Sequence, residues 1–360
     1  MRRRLILSVL SFSFICLILL SLSGCRPAGQ KIAFFLYNGS DTFITEMMDN
    51  MKKGMKTEME PEGVTFKVFD ARNSQSVQNQ QINELIDDNY DLFVINAVDR
   101  LASRAIVEKC KKEGIPVIFF NREPLDNALK EFKESAYYVG PDAASQGAKQ
   151  AEIVAGLFAD KFRDSQYDKN KDGAIQLAII KGEQGHQDAE KRTEYCVKEL
   201  TALGFSVETL AIEAADWNRK TGYRNGFEAM RRLYNQYGEK IELVFSNNDD
   251  MAIGAIEYLL SENIFSENIS AEQQPFIIVG VDGTEVGLDY IKRGLLYGTV
   301  NNDSIKQSDA VLTLAKYMLN GINVKTSNDF PYKITENYFI YIDDIDGGII
   351  TQANVDEFIN

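Results

Sequence analysis

The sequence predicts an α/β protein of two doubly wound parallel-sheet lobes joined by a three-segment hinge. Short apolar runs recur along the chain and alternate with amphipathic helical patterns, as parallel sheets with helical crossovers require. Polar tips follow many of these runs, as expected where strands end at a cleft. At 360 residues the chain also exceeds what a single core usually encloses.

Residues 1–24 read as an export signal, because Arg2, Arg3 and Arg4 precede the apolar stretch 5–20. Leu22, Ser23, Gly24 and Cys25 then match a bacterial lipoprotein box, in which the bond before Cys25 is cut and its thiol takes a diacylglyceryl group. The mature chain is therefore expected to be exported and held by lipid to a bacterial membrane, facing periplasm or exterior, with 25–30 as a tether; the alternative is an uncleaved membrane anchor.

Eight strand-like runs follow, at 32–37, 64–69, 92–95, 117–120, 174–180, 205–212, 243–245 and 276–281. The tip after the first holds Asp41 and Phe43, after the third Asn96 and Asp99, and after the fourth Asn121 and Arg122. Asn247, Asn248, Asp249 and Asp250 follow the seventh, and Asp282 closes the eighth. One such tip could be an ordinary helix cap, but the repetition points to one shared site. Crossovers between lobes are expected at 137–142, 297–303 and 337–343, giving a first lobe of 31–140 with 303–338 and a second of 141–302 with 339–360. Three connections make a hinge that opens and closes a cleft.

The fifth run opens into a polar loop with the only histidine, His186, beside Asp188 and Arg192. That donor and acceptor mixture suits a ligand with many hydroxyls. The plainer alternative is a loop whose Asp188 caps the next helix and whose Arg192 pairs with a glutamate. Trp217, the only tryptophan, follows a strand end and fits either the apolar face of a ligand or the core.

The segment from Asp168 to Gln176 has a calcium-loop pattern: Asp168, Asn170, Asp172 and Gln176 at positions one, three, five and nine, Gly173 at the sharp turn and the Ala174 carbonyl at seven. Position twelve is Ile179, so a remote carboxylate would have to complete the shell. The alternative is a solvated turn.

The net charge of −14 disfavours nucleic acid as a partner. Cys16 leaves with the signal, Cys110 and Cys196 are expected as buried free thiols, and one histidine with scattered thiols leaves no zinc site.

Taken together, these stretches resemble the periplasmic galactose/glucose-binding proteins, receptor components of ABC-type sugar importers with the type I periplasmic-binding-protein fold. The likeness runs from about residue 31 to the C-terminus. It is carried by the calcium loop, by the run from Lys181 to Arg192, by Phe119-Phe120-Asn121-Arg122-Glu123-Pro124, by Ser246-Asn247-Asn248-Asp249 and by Gly280-Val281-Asp282. The resemblance implies that Asp41 and Asn121 from the first lobe, and His186, Asp188, Arg192, Asn248, Asp282 and Asn302 from the second, bind the hydroxyls of D-glucose or D-galactose. Phe43 and Trp217 would cover the two ring faces, and Glu242 would supply the missing calcium carboxylate. It further implies an ABC permease as partner, admits a chemoreceptor as another, and leads one to expect a monomer that is not an enzyme. Gln184 and Gln187 stand where the family commonly has prolines, Asp250 where a small residue is common, and Asn301 where an apolar one is common.

A glycoside-acting enzyme is the rival from another class, with two cleft aspartates as acid and base. Against it, the surroundings of Asp41 and Asp282 are expected to keep both ionised. A sugar sensor that signals without transport is a further alternative, whereas a repressor would need a basic DNA-binding face.

Overall fold

The computed structural model describes residues 29–159, 162–342 and 348–359. The export signal, Cys25 and the end of the third crossover at Asp343 lie outside them.

With elements numbered along the chain, one sheet holds β1 (Lys31–Leu36), β2 (Thr65–Asp70), β3 (Leu92–Ile95), β4 (Val117–Phe120), β5 (Ala136–Gly140) and β11 (Phe339–Tyr341). Their order is β11-β5-β4-β3-β1-β2, with every neighbour parallel. The other sheet holds β6 (Ala174–Lys181), β7 (Ser206–Ala214), β8 (Leu243–Ser246), β9 (Ile277–Asp282), β10 (Gly298–Asn301) and β12 (Ile349–Thr351). It runs β12-β10-β9-β8-β6-β7 and is parallel except for β12 against β10.

Helices cover both faces of each sheet, which is why the strands read as continuous apolar runs and not as alternating ones. In β1, Ile32, Phe34 and Leu36 pack toward α1 (Thr42–Gly54) and α9 (Ser304–Leu319), while Ala33 and Phe35 face α2 (Gln75–Leu85) and α3 (Ser103–Glu113). The second lobe repeats this arrangement. Ala178 and Ile180 of β6 pack with α6 (Gly226–Tyr237), α7 (Asp249–Ser261) and α8 (Glu285–Lys292), and Leu177 and Ile179 with α4 (Ala143–Phe158) and α5 (Gln187–Ala202). Successive side chains point to opposite faces, so each strand feeds two cores.

The chain passes from β5 to α4 through Asp142, whose side chain caps α4, and from β10 to α9 through Asp303, which caps α9. The third passage corrects the boundary expected at 338. β11 pairs with β5, so residues 339–341 belong to the first lobe and only the segment containing β12 reaches the second. The cause is burial, since Phe339 and Ile340 are enclosed and Phe339 packs its ring edge-on 5.3 Å from Tyr138.

Cys110 and Cys196 are buried free thiols in different lobes. No helix among the described residues is long and apolar enough to cross a membrane.

Candidate functional site: the interlobe cavity

Helices α1, α5 and α7 begin just beyond strand ends, where their first backbone N–H groups need acceptors. Asp41 caps α1 through Ile44 N at 2.9 Å, His186 caps α5 through Asp188 N at 3.1 Å, and Asn248 caps α7 through Met251 N at 2.9 Å. Short acceptor side chains at these positions start the helices and turn toward the cleft in the same stroke. The cap of α5 is His186 and not Asp188. Asp188 is therefore released, and its Oδ1 is buried without a partner.

These tips line a cavity between the lobes. Asp41, Phe43 and Asn121 line it from the first lobe. His186, Asp188, Arg192, Trp217, Asn248, Asp282 and Asn302 line it from the second. All ten residues singled out for the hexose thus meet in one place.

Arg192 is 3% exposed and is held from behind. Its Nε and Nη2 donate to Gln146 Oε1 at 2.9 and 2.7 Å, and Nη1 donates to the Asn247 carbonyl at 2.7 Å. A guanidinium has five N–H groups, so one on each terminal nitrogen remains. Those nitrogens lie 3.7 Å from Asp188 Oδ2 and 4.0 Å from Asp282 Oδ1. Asn302 donates to Asp282 Oδ1 at 3.1 Å and accepts from Gln146 Nε2 at 2.8 Å. Asn121 accepts from Asn96 Nδ2 at 3.1 Å.

Trp217 sits in a left-handed backbone conformation, φ 65°, after Asp216 at φ 48°, a strained pair that aims the indole at the cavity. Its ring meets His186 edge-on at 5.0 Å and lies against Gly182, where a Cβ would come within 2.4 Å of the indole. Trp217 Nε1 is a second buried polar atom without a partner.

Sequence reasoning passed over several parts of this site. Tyr37 lines the cavity and donates to Asp41 Oδ2, and Arg122 stacks 3.7 Å over the Tyr37 ring while pairing with Glu183 of the other lobe at 2.9 Å. Arg122 adjoins Asn121 in the same tip, a signal that was available. Gln146 and Gly182 carried none, because their roles are packing against groups distant in sequence.

The expectation that Asp41 and Asp282 stay readily ionised is corrected. Burial raises both carboxyls, Asp282 well above the usual range, and outweighs the Tyr37 hydrogen bond to Asp41 and the charge of Arg192 near Asp282. Burial likewise pushes Asp188 up to about 6, against the pull of Arg192, Arg122 and Arg100. Burial, then Arg122, Arg192 and Arg100, holds His186 well below its ordinary value, so the ring is neutral, with Nδ1 accepting and Nε2 left as donor.

A pH dependence follows for the ligand-free chain. Asp188 has a folded value above its ordinary 3.8, so its contribution to stability is full below about 3.8 and is lost as pH rises through about 6. Burial also pushes Glu46 and Glu123 to about 7, with the same sign. His186 acts oppositely, losing stability as pH falls through 6.5, but it is one group against several carboxyls. The melting temperature without ligand should therefore fall between pH 5 and 7.5. A flat or rising profile would contradict this account.

In the 168–176 loop, Asp168 Oδ2 accepts from Gly173 N at 3.1 Å, and Asp172 Oδ1 from Ala174 N at 2.7 Å. Asn170 Nδ2 donates to Asp172 Oδ2 at 2.7 Å. Buried Glu242 reaches in from the turn before β8, its two oxygens accepting from Lys169 N and Gln176 N at 2.8 and 2.9 Å. Among the described residues no three acidic, histidine or cysteine side chains converge as a metal cage. The oxygens Asp168 Oδ1 and Gln176 Oε1 are nevertheless buried with no partner, and hard oxygen donors of this kind fit calcium.

Two parallel-sheet lobes closed over one polar and aromatic cavity define a two-lobed solute-binding protein. The chain belongs to the periplasmic binding protein domain family, which matches residues 32–323 and whose members are solute-binding proteins, not enzymes. It is 34% identical over 321 residues to the D-galactose/methyl-galactoside binding periplasmic protein of Haemophilus influenzae, covering 89% of this chain and 90% of that one. It is 23% identical to the ribose import binding protein of Bacillus subtilis, over 85% and 88% of the two chains. The solved structure of an ABC transporter solute-binding protein from Bacillus halodurans with bound myo-inositol superposes with a TM-score of 0.72 at 26% identity, over 92% and 98%.

Proposed function

We propose that this chain captures a pyranose, D-galactose or D-glucose, in the interlobe cavity and delivers it to an ABC-type sugar permease, while a lipid on Cys25 keeps it at the membrane. The observation that carries the sugar reading is the cavity itself. Phe43 and Trp217 enter it from opposite lobes, with carboxylates, amides, an arginine and a neutral histidine around them. A pyranose has apolar C–H faces and a rim of hydroxyls, so paired aromatics and planar polar side chains answer its two surfaces. The unpartnered Asp188 Oδ1 and Trp217 Nε1 are an acceptor and a donor for hydroxyls. Identity to the H. influenzae galactose-binding protein favours a hexose, and the ribose and myo-inositol ligands of other relatives set the competing choices.

The test is calorimetric titration of the chain starting after Cys25 with D-galactose, D-glucose, D-ribose and myo-inositol. Tightest binding to a hexose is expected, and the ratio of the two hexose affinities names the sugar. Tighter ribose or inositol binding would replace the hexose reading, and no heat with any of them would remove sugars altogether.

The orphaned oxygens support calcium in the 168–176 loop, held by Asp168, Asn170, Asp172, the Ala174 carbonyl, Gln176 and Glu242. When bound, the ion would supply fixed positive charge that ties the start of β6 to the turn before β8. A ligand bound only by the folded state stabilises it by ~2.7 kcal/mol at a hundredfold excess over its dissociation constant. Calcium should therefore raise the melting temperature of the wild type and a chelator lower it, with the difference lost in Asp168→Asn. Equal melting with calcium and chelator would leave the loop a plain turn.

A further inference from the structure

Asp250, in the first turn of α7, touches both lobes. Its Oδ2 accepts a hydrogen bond from Thr42 Oγ at 2.6 Å, and Thr42 opens α1 of the first lobe. Its Oδ1 takes Nε and Nη2 of Arg219 at 3.2 and 2.5 Å, from the loop after β7 in its own lobe. The Asp250 side chain is 14% exposed and that of Arg219 31%, so the pair is shielded although not fully dry. Thr42 lies between Asp41 and Phe43, and Asp250 lies two residues beyond Asn248. All three of those neighbours line the cavity, so the bridge stands at its rim.

We propose that Thr42, Asp250 and Arg219 form an interlobe latch that sets how long a captured solute stays bound, without touching the solute. Arg219 grips one carboxylate oxygen and so keeps the other turned to the first lobe, where a charge-assisted hydrogen bond is stronger than a neutral one. The Thr42–Asp250 bond spans the cleft and is broken when the lobes part, so its whole net contribution favours the closed form. Apparent affinity follows the closed population, and dissociation has to break the bond first. The latch makes Asp250 a positioning residue. This inference rests on solute capture between the lobes as proposed above.

Stopped-flow fluorescence tests it, using Trp217, the chain's only tryptophan, which lines the cavity. With D-galactose or D-glucose as probe, Thr42→Val should raise the dissociation rate and Kd by roughly five- to tenfold, as expected for the net contribution of one partly solvent-screened hydrogen bond. The association rate and the ligand-free melting temperature should stay unchanged, and Thr42→Ser should restore wild-type dissociation. Asp250→Ala should weaken binding similarly, and the double variant should be no weaker than the weaker single one, because both remove the same bond. Wild-type dissociation in Thr42→Val, or penalties that multiply in the double variant, would overturn the latch. A wild-type chain that binds neither hexose would count against the hexose reading alone. The latch is then decided by Thr42→Cys combined with Asp250→Cys in the ligand-free chain, where an oxidised bridge supports the closing contact and its failure to form refutes it.

Discussion

Arg192→Met is expected to abolish sugar binding, by at least about a hundredfold, and to destabilise the second lobe. The substituted side chain fills similar space but removes the cation that lies between Asp188 and Asp282 and leaves Gln146 Oε1 and the Asn247 carbonyl without their donor. Breaking one partner out of a buried ionic cluster typically costs ~3–5 kcal/mol, because the charges left behind stay desolvated. The same carboxyls already titrate high, so they can escape that cost by taking up protons. The stability loss should therefore be larger at pH 7.5 than at pH 5.5, as read from urea unfolding at the two values. Equal losses at both would mean that Arg192 acts by packing and hydrogen bonding, not by charge.

The second large effect is expected at Trp217. Removing its ring in Trp217→Ala should cost ~2–3 kcal/mol of binding, roughly 30- to 150-fold in Kd, from lost apolar contact on one face of the sugar. Trp217→Phe should recover most of this while still lacking the buried Nε1 donor. Because the side chain is only partly buried and stands at the edge of its core cluster, the melting temperature should change little. The opposite pattern, unchanged affinity with a large fall in melting temperature, would mark the indole as core filling and transfer the stacking role elsewhere.

These two residues also show what could be read before folding. Trp217 was legible as a candidate because it is unique and follows a strand end, yet stacking and core burial are equally good fates for a lone indole. What separates them is the left-handed turn at Asp216 and Trp217 and the absence of a side chain at Gly182, both of which depend on the path of the neighbouring strand. Arg192 was legible as a donor on a polar loop. That three of its bonds are spent on Gln146 and Asn247 was not, since Gln146 lies 46 residues away and reaches it only because α4 packs beside α5.

The family resemblance implied the ten residues that meet at the cleft; by itself the sequence determined the alternation of buried strands and covering helices, the two lobes and the polar tips. These are local properties, since apolar period, helix caps and strand-end loops are set by residues a few positions apart. Only the tertiary structure decided the rest: that β11 belongs to the first sheet, that His186 caps α5 and releases Asp188, that burial lifts the cleft carboxyls despite nearby cations, and that Asp250 bridges the lobes through Thr42. Each of these turns on desolvation or on contacts between distant segments. A linear pattern carries neither, because both depend on which surfaces are brought together and how much water leaves between them.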